Sequence, residues 1–267
     1  MSTSFLARDT GFIRLCGHRG HNVSAPENTF AAFRAAHGFG ATSLEIDTVL
    51  TADDQIVVLH DLLADRTSDG SGAVKDMTLA EIRALDSGAW FDPQFSGERI
   101  PTLAETIALA HELDLVLEVE IKEKVHLDRY ARALQHVLAD PRDLERVMMI
   151  SFDHANLKAL KALIPGIRTG GIVHEKFPDP VAVARLSELD ELCIDLDVFD
   201  AKGAAALQAA GIAIRCHAYN PRTWDKARKA GLGWDQALPE YLRGGLIDTL
   251  SGDDVAWLKA FLGDATR

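Results

Sequence analysis

Cysteine is scarce in this chain: Cys16, Cys193 and Cys216 are the three among 267 residues, each in or beside an apolar strand-like run. An odd count with no local pairing pattern argues against a disulfide-stapled scaffold and reads as reduced, buried thiols in a cytoplasmic protein. Cys216 precedes His217, but adjacent residues on a strand face opposite ways, which argues against a cysteine–histidine nucleophile. Basic charge is also short, with 28 Lys and Arg against 40 Asp and Glu and a net charge of −12. A nucleic-acid surface needs clustered Lys and Arg, so none is expected. A small phosphate ligand stays open, because a bound metal reverses the local field even in an acidic protein. Long apolar runs are missing: Met1 to Arg8 holds none suited to a secretory leader, and no stretch approaches roughly 18 apolar residues. No stable membrane association is therefore expected. The chain has neither GxGxxG nor GxxxxGK[ST], which removes the two commonest open-sheet nucleotide sites. With no HExxH and no cysteine cluster, zinc is a poor candidate.

What is present is a globular composition, 47% apolar and 25% charged, in a length that suits one α/β barrel. Short β-branched and apolar runs alternate with stretches of helical period. Strands are expected at Ile13–Gly17, Ser43–Leu50, Ile56–His60, Leu115–Lys122, Val147–Ser151, Arg168–His174, Glu191–Asp195, Ala213–Ala218 and Leu246–Ser251. Helices are expected between most of them, beginning with Thr29–Phe39, where Phe30, Phe33 and Ala36 share a face. About eight strand–helix units without a dinucleotide fingerprint predict a TIM (β/α)8 barrel. The whole chain, residues 1–267, reads as one domain. A segment of about residues 62–100, rich in Gly, Asp and Ser and carrying Trp90, Phe91 and Phe95, reads as a small cap inserted after the second barrel strand.

Chemistry in such a barrel gathers at the C-terminal ends of the strands. There the sequence places Gly17-His18-Arg19-Gly20, then Glu45-Ile46-Asp47, whose period-two spacing puts both carboxylates on one face. The next extended run ends in His60-Asp61, and the 115–122 strand carries Glu118, Glu120 and Lys122 on one face. Three aligned charges inside a barrel need partners, and a bound cation is the simplest. Glu45, Asp47 and Glu120 make a hard oxygen site suited to one divalent cation, magnesium or calcium. Arg19 and Lys122 supply fixed positive charge for a phosphate. His18 and His60 suit general acid–base work near neutral pH. Glu118 is either a second-shell partner of the metal site or the partner of a cation. His217 is a substrate-binding candidate, as its strand position turns it inward. His21 makes HxxH with His18, but is expected to shape the mouth more than to ligate metal. His174, Asp195 and Asp197 are further candidates for the pocket lining.

These residues resemble the glycerophosphodiester phosphodiesterase family. The resemblance runs through Cys16-Gly17-His18-Arg19-Gly20, Ala25-Pro26-Glu27-Asn28-Thr29-Phe30, Glu45-Ile46-Asp47, Val58-Leu59-His60-Asp61, Arg66-Thr67, Ile100-Pro101-Thr102-Leu103, Glu120-Ile121-Lys122 and Ser151-Phe152-Asp153. Each element is weak alone; the ordered set is specific. It is dense from about residue 13 to 122 and thinner to about 220. The resemblance implies a divalent cation (magnesium or calcium, with manganese as a third choice) on Glu45, Asp47 and Glu120, and catalytic His18 and His60. It also implies a small-molecule glycerophosphodiester, split to an alcohol and glycerol 3-phosphate. Competing readings are a non-catalytic phosphodiester-binding barrel and a phospholipase-type lyase forming a cyclic phosphate; a homo-oligomer is left open. The chain departs from the family in four places. Glu118 stands where many relatives have Asn, and His217-Ala218-Tyr219-Asn220 replaces the usual Trp-Thr-Val-Asn. The closing Asp248–Asp253 stretch matches loosely, and Gly231–Gly245 is longer than expected. These departures bear on the substrate more than on the reaction class.

Overall fold

The computed structural model describes residues 3–265. Its strands are β1 (Arg14–His18), β2 (Ser43–Leu50), β3 (Ile56–Val58), β4 (Val116–Ile121), β5 (Val147–Ser151), β6 (Arg168–Val173), β7 (Glu191–Asp195), β8 (Ala213–His217) and β9 (Thr249–Gly252). Eight of them are parallel and close into a TIM barrel, β1 pairing with β2 on one side and β9 on the other. β3 is the exception, folding antiparallel onto the end of β2. The register matters for chemistry: His18 sits beside Glu45, Glu45 beside Glu118, and Asp47 beside Glu120.

Helices lie between the strands, and local chemistry sets their ends. Phe30–Phe39 starts at Thr29, whose side chain accepts the Ala32 amide, and stops at Gly40 with φ of 101°. Leu103–Glu112 opens with a capping box between Thr102 and Glu105. Alternation along each strand divides the apolar residues into two sets. Leu15, Leu44, Ile46, Leu117, Val119, Leu192, Ile214 and Cys216 join the layer packed against the helices. Val116, Met148, Ile150, Cys193 and Ala213 instead meet Phe5 in a separate cluster inside the barrel. Cys216 and its neighbour His217 thus fall on opposite faces of β8. All three cysteines are buried and free, which agrees with the sequence reading.

The barrel interior is not wholly apolar. Glu118, Glu191 and Arg215 are buried at its centre, with Arg215 Nε 3.0 Å from Glu118 Oε2 and its Nη2 donating to Ser251 Oγ at 2.9 Å. Burial, reinforced by the Glu118 charge, pushes Glu191 well above the usual carboxylate range. Arg215 alone answers the Glu118 charge in this trio. Replacing Arg215 by Met strands a buried carboxylate and should cost about 3–5 kcal/mol in denaturant unfolding. The double replacement with Glu118→Leu should recover most of that loss. A single variant as stable as the parent would show that the pair is not the structural link inferred here.

Residues 59–102 run from β3 to the helix Leu103–Glu112 and hold short helical turns at Val74–Asp76, Leu79–Ala84 and Pro93–Phe95. Val74, Ile82 and Ile100 from this segment pack with Val49, Val57 and Leu59 in a small core of their own. Phe91 meets both Trp90 and Phe95 edge to face, each at a centroid separation of 5.7 Å. Past residue 230 the sequence reading was thinnest. There the structure has the helix Trp234–Arg243 before β9 and Val255–Ala265 after it. Among the described residues no helix is long and apolar enough to cross a membrane.

Candidate active site

The turn after β1 builds the first part of the site. Gly20 has φ of 87°, and a Cβ there would lie 2.7 Å from Ala32, while one on Gly17 would lie 2.7 Å from Gly20 O. Only glycine fits both positions, and the tight turn forces Arg19 into left-handed backbone at φ of 57°. Arg19 N then donates to Glu45 O at 2.9 Å, tying the turn to β2. Asn28 and Tyr219 also have left-handed backbone, at 58° and 62°. Three such residues gathered at one barrel mouth mark backbone held in place by its surroundings.

His18 ends β1, and its Nδ1 lies 2.7 Å from Asp253 Oδ1, one residue beyond β9. Its Nε2 faces Glu45 Oε2 at 3.8 Å. Burial works to lower the His18 pKa, but the Glu45 charge and the Asp253 hydrogen bond outweigh it and hold the imidazole above its ordinary value. Asp253 is itself fixed by Asn22 Nδ2 at 3.0 Å and Asn220 Nδ2 at 2.7 Å. His60 repeats the arrangement, with Nδ1 2.6 Å from Asp61 Oδ1. Arg66 clamps Asp61 and bridges to Glu27, which in turn holds Arg19 at 2.9 Å. In each histidine a carboxylate takes Nδ1 and leaves Nε2 for other work.

Between the histidines lie Glu45, Asp47 and Glu120, all buried, with carboxylate oxygens within 4.8 Å of one another. Lys122 Nζ stands 2.6 Å from Glu120 and 3.2 Å from Asp47, and Arg19 Nε 3.1 Å from Asp47. Burial and then repulsion from Asp47 raise the Glu45 pKa; burial and then Glu45 raise that of Glu120. Burial pushes Asp47 the same way, yet Arg19 and Lys122 overcome it and hold Asp47 below the usual range. Asn28 Nδ2 donates to Asp47 Oδ2 at 2.8 Å, while the buried Oδ1 faces the Lys122 ammonium at 3.2 Å. Three converging, buried, all-oxygen side chains fit a hard divalent cation. A second group, Glu118, Glu191 and Cys193, is as compact, but Arg215 already supplies its positive charge.

The remaining wall comes from β6 to β8 and the loop beyond β8. His217 meets His18 and Tyr219 edge to face, each at 4.9 Å, and Tyr219 stacks on Trp234 at 5.6 Å. The helix in the long Gly231–Gly245 stretch therefore props the wall behind Tyr219 and His217. Burial, with His18 nearby, pushes His217 well below its ordinary pKa and keeps it neutral. Tyr219 donates to Asp197 at 2.9 Å, and His174 Nδ1 lies 2.5 Å from Asp195. His18, Arg19, Glu45, His60, Glu120, Lys122 and His217 line one cavity of about 290 Å³ with His174, Asp195 and Tyr219.

Not every sequence candidate joins that cavity. Glu118 lies deeper in the barrel on Arg215, which is the cation-paired alternative of the sequence reading. His21 is buried, and its Nδ1 accepts the Val255 amide at 3.0 Å, so it anchors the start of the C-terminal helix. Trp90, Phe91 and Phe95 do not line the cavity. Conversely, sequence reasoning assigned no role to Asp253, Asn22, Asn220 or Glu27. The signal for Asp253 was its place at the end of the last strand; Asp61 and Arg66 stood unassigned inside quoted motifs.

The chain is similar to known proteins in sequence and in fold. A model described as the glycerophosphoryl diester phosphodiesterase family matches residues 18–241. Over 158 residues the chain is 40% identical to a glycerophosphodiester phosphodiesterase of Caldanaerobacter subterraneus, covering 57% of this chain and 63% of that one. Over 173 residues it is 37% identical to a putative glycerophosphodiester phosphodiesterase of Bacillus subtilis, covering 61% and 67%. The match thus spans just under two thirds of the first relative and about two thirds of the second. Among solved structures, an Oleispira antarctica phosphodiesterase in complex with its product sn-glycerol 3-phosphate superposes with a TM-score of 0.81. It is 28% identical, with coverage of 95% of this chain and 98% of that one.

Proposed function

The chain belongs to the glycerophosphoryl diester phosphodiesterase family, whose members are phosphoric diester hydrolases, and from that premise we propose that it hydrolyses glycerophosphodiesters to glycerol 3-phosphate and an alcohol. One observation carries the reading. Two imidazoles, each held at Nδ1 by a carboxylate, flank Glu45, Glu120 and two cations in a single cavity, with the carboxylate of Asp47 buried directly behind them. Binding alone needs no acid–base pair, so this arrangement favours turnover over a phosphate-binding barrel.

Glu45, Asp47 and Glu120 would hold the cation, magnesium or calcium by their oxygen chemistry. When bound, it neutralises phosphoryl charge and polarises the P–O bonds. Arg19 and Lys122 position the diester through its non-bridging oxygens. One imidazole takes the proton of the attacking oxygen as the new P–O bond forms; that oxygen is a water's, or the substrate's own neighbouring hydroxyl, whose cyclic phosphate a water then opens. The other gives its proton to the alcohol oxygen as the old P–O bond breaks. His217, half-buried and neutral, and Tyr219 offer hydrogen bonds to a polar arm of the substrate. Residues 62–100 act as a cap on this single catalytic domain, and the buried free thiols suit a reducing, cytoplasmic setting.

The test uses EDTA-treated protein with glycerophosphocholine and an aryl phosphodiester, adding back magnesium, calcium or manganese separately. Release of glycerol 3-phosphate from glycerophosphocholine only after metal is restored is the expected result. No turnover of either diester with any of the three metals would remove the proposal.

A further inference from the structure

The catalytic cavity is small, about 290 Å³, near the lower bound of small-ligand pockets. It opens at His60, Glu120, Lys122 and Phe152 into a groove of about 1160 Å³ that shares those four residues. Charged side chains such as Asp65, Arg66 and Lys124 share its lining, while Leu62, Leu63, Ile121, Leu127 and Phe152 supply its apolar surface. Leu62, Leu63 and Phe152 are 45%, 51% and 50% exposed, unusual for large apolar side chains beside a polar centre. The path does not end there. Through Ile121, Leu127 and Asn156 it continues into an apolar cleft of about 210 Å³ between the helices Leu127–Val137 and His154–Leu163. The opposite side of the phosphate site is polar, with His174, Asp195, His217 and Tyr219. The site therefore has two unlike arms that meet at His60.

We propose that the substrate's leaving alcohol is apolar, a single alkyl chain that runs from His60 along Leu62, Leu63 and Phe152 toward the helix cleft. The glycerol arm sits against His217 and Tyr219. This rests on the phosphodiesterase reading above and names its substrate class: single-chain glycerophosphoalkanols. Hydrolysis releases the long-chain alcohol after its oxygen has received a proton, the P–O bond to that oxygen having broken.

The experiment measures kcat/KM for sn-glycero-3-phospho-n-alkanols from ethyl to decyl, each below its aggregation concentration, with glycerophosphocholine as reference. A gain of about twofold per methylene is expected, the value for half-burial in an open groove. Leu63→Asp should flatten that slope, read as the ratio of kcat/KM for the decyl ester to that for the ethyl ester in the same variant. Ala159→Trp, at an exposed position lining the cleft, should shorten the chain length at which the gain stops. Melting curves of both variants report whether each is folded. A flat or falling series alongside normal glycerophosphocholine turnover overturns the apolar arm and leaves the parent reading standing. A gain seen only above the aggregation concentration also overturns it, in favour of docking to a lipid surface. Loss of all turnover, glycerophosphocholine included, overturns both.

Discussion

His18→Ala and His60→Ala should each lower kcat/KM on glycerophosphocholine by about 10²–10⁴-fold while leaving the melting transition nearly unchanged. The double variant should fall well short of the product of the two losses, because residues that work as a unit are not additive. Both side chains sit at the mouth, and neither belongs to the clusters that hold the fold. The common geometry sets the expectation. Asp253 lies 2.7 Å from His18 Nδ1 and Asp61 2.6 Å from His60 Nδ1, which places the Nδ1 proton on the carboxylate side and frees Nε2. Asp253→Asn tests that role separately as a positioning effect. The amide can donate to Nδ1, favouring the opposite tautomer, and the rate should fall by roughly 10²-fold or more. The nitrogen-15 shifts of His18 should report the switch of protonated nitrogen, a change that a merely structural role of Asp253 would not produce. Undiminished turnover in either alanine variant would end the acid–base assignment.

Much of this site was legible because strand periodicity is simple. Glu45 and Asp47, two apart on β2, had to share a face, and so did Glu118, Glu120 and Lys122 along β4 and just past its end. The barrel followed from the alternation of strands and helices. What spacing along one strand cannot supply is register between strands and depth along the barrel axis. Glu118 and Glu120 look equivalent in sequence, yet one meets Arg215 in the interior and the other meets Lys122 at the mouth. Asp253 was obscure for a related reason: its partner His18 is 235 residues away, and closure of β9 onto β1 brings the two together. The Tyr219–Trp234 stack depends on a helix that the sequence showed only as an overlong connection. At His21 spacing alone is ambiguous, and the reading that it shapes the mouth is preferred to ligation. HxxH suggests a pair of ligands, but the tight turn at Gly20 carries His21 away from His18 to the Val255 amide.

Removing the divalent cation should abolish turnover and lower stability, and the size of the stability change should depend on pH with a defined sign. A cation at 100 times its Kd stabilises the native state by about 2.7 kcal/mol. For a domain of this size that corresponds to roughly 5–10 °C in Tm. Replacing Glu120 by Gln should raise the metal concentration for half-activity by about tenfold or more, since even partners of metal ligands cost that much when removed. The pH dependence follows from the crowding of Glu45, Asp47 and Glu120 within 4.8 Å. Burial, and then each neighbour's charge, raise Glu45 and Glu120 above their ordinary values. Raised carboxyls stabilise the metal-free fold at pH below their unfolded values, and that contribution disappears as pH climbs through the raised ones. The cation replaces the retained proton, so binding releases protons and weakens in acid. The metal-induced gain in Tm should therefore grow from about pH 5 to about pH 8. Calorimetric melts with EDTA and with magnesium or calcium across that range provide the check. A gain that is constant or larger in acid, or turnover that survives EDTA, would rule out a cation on these three carboxylates.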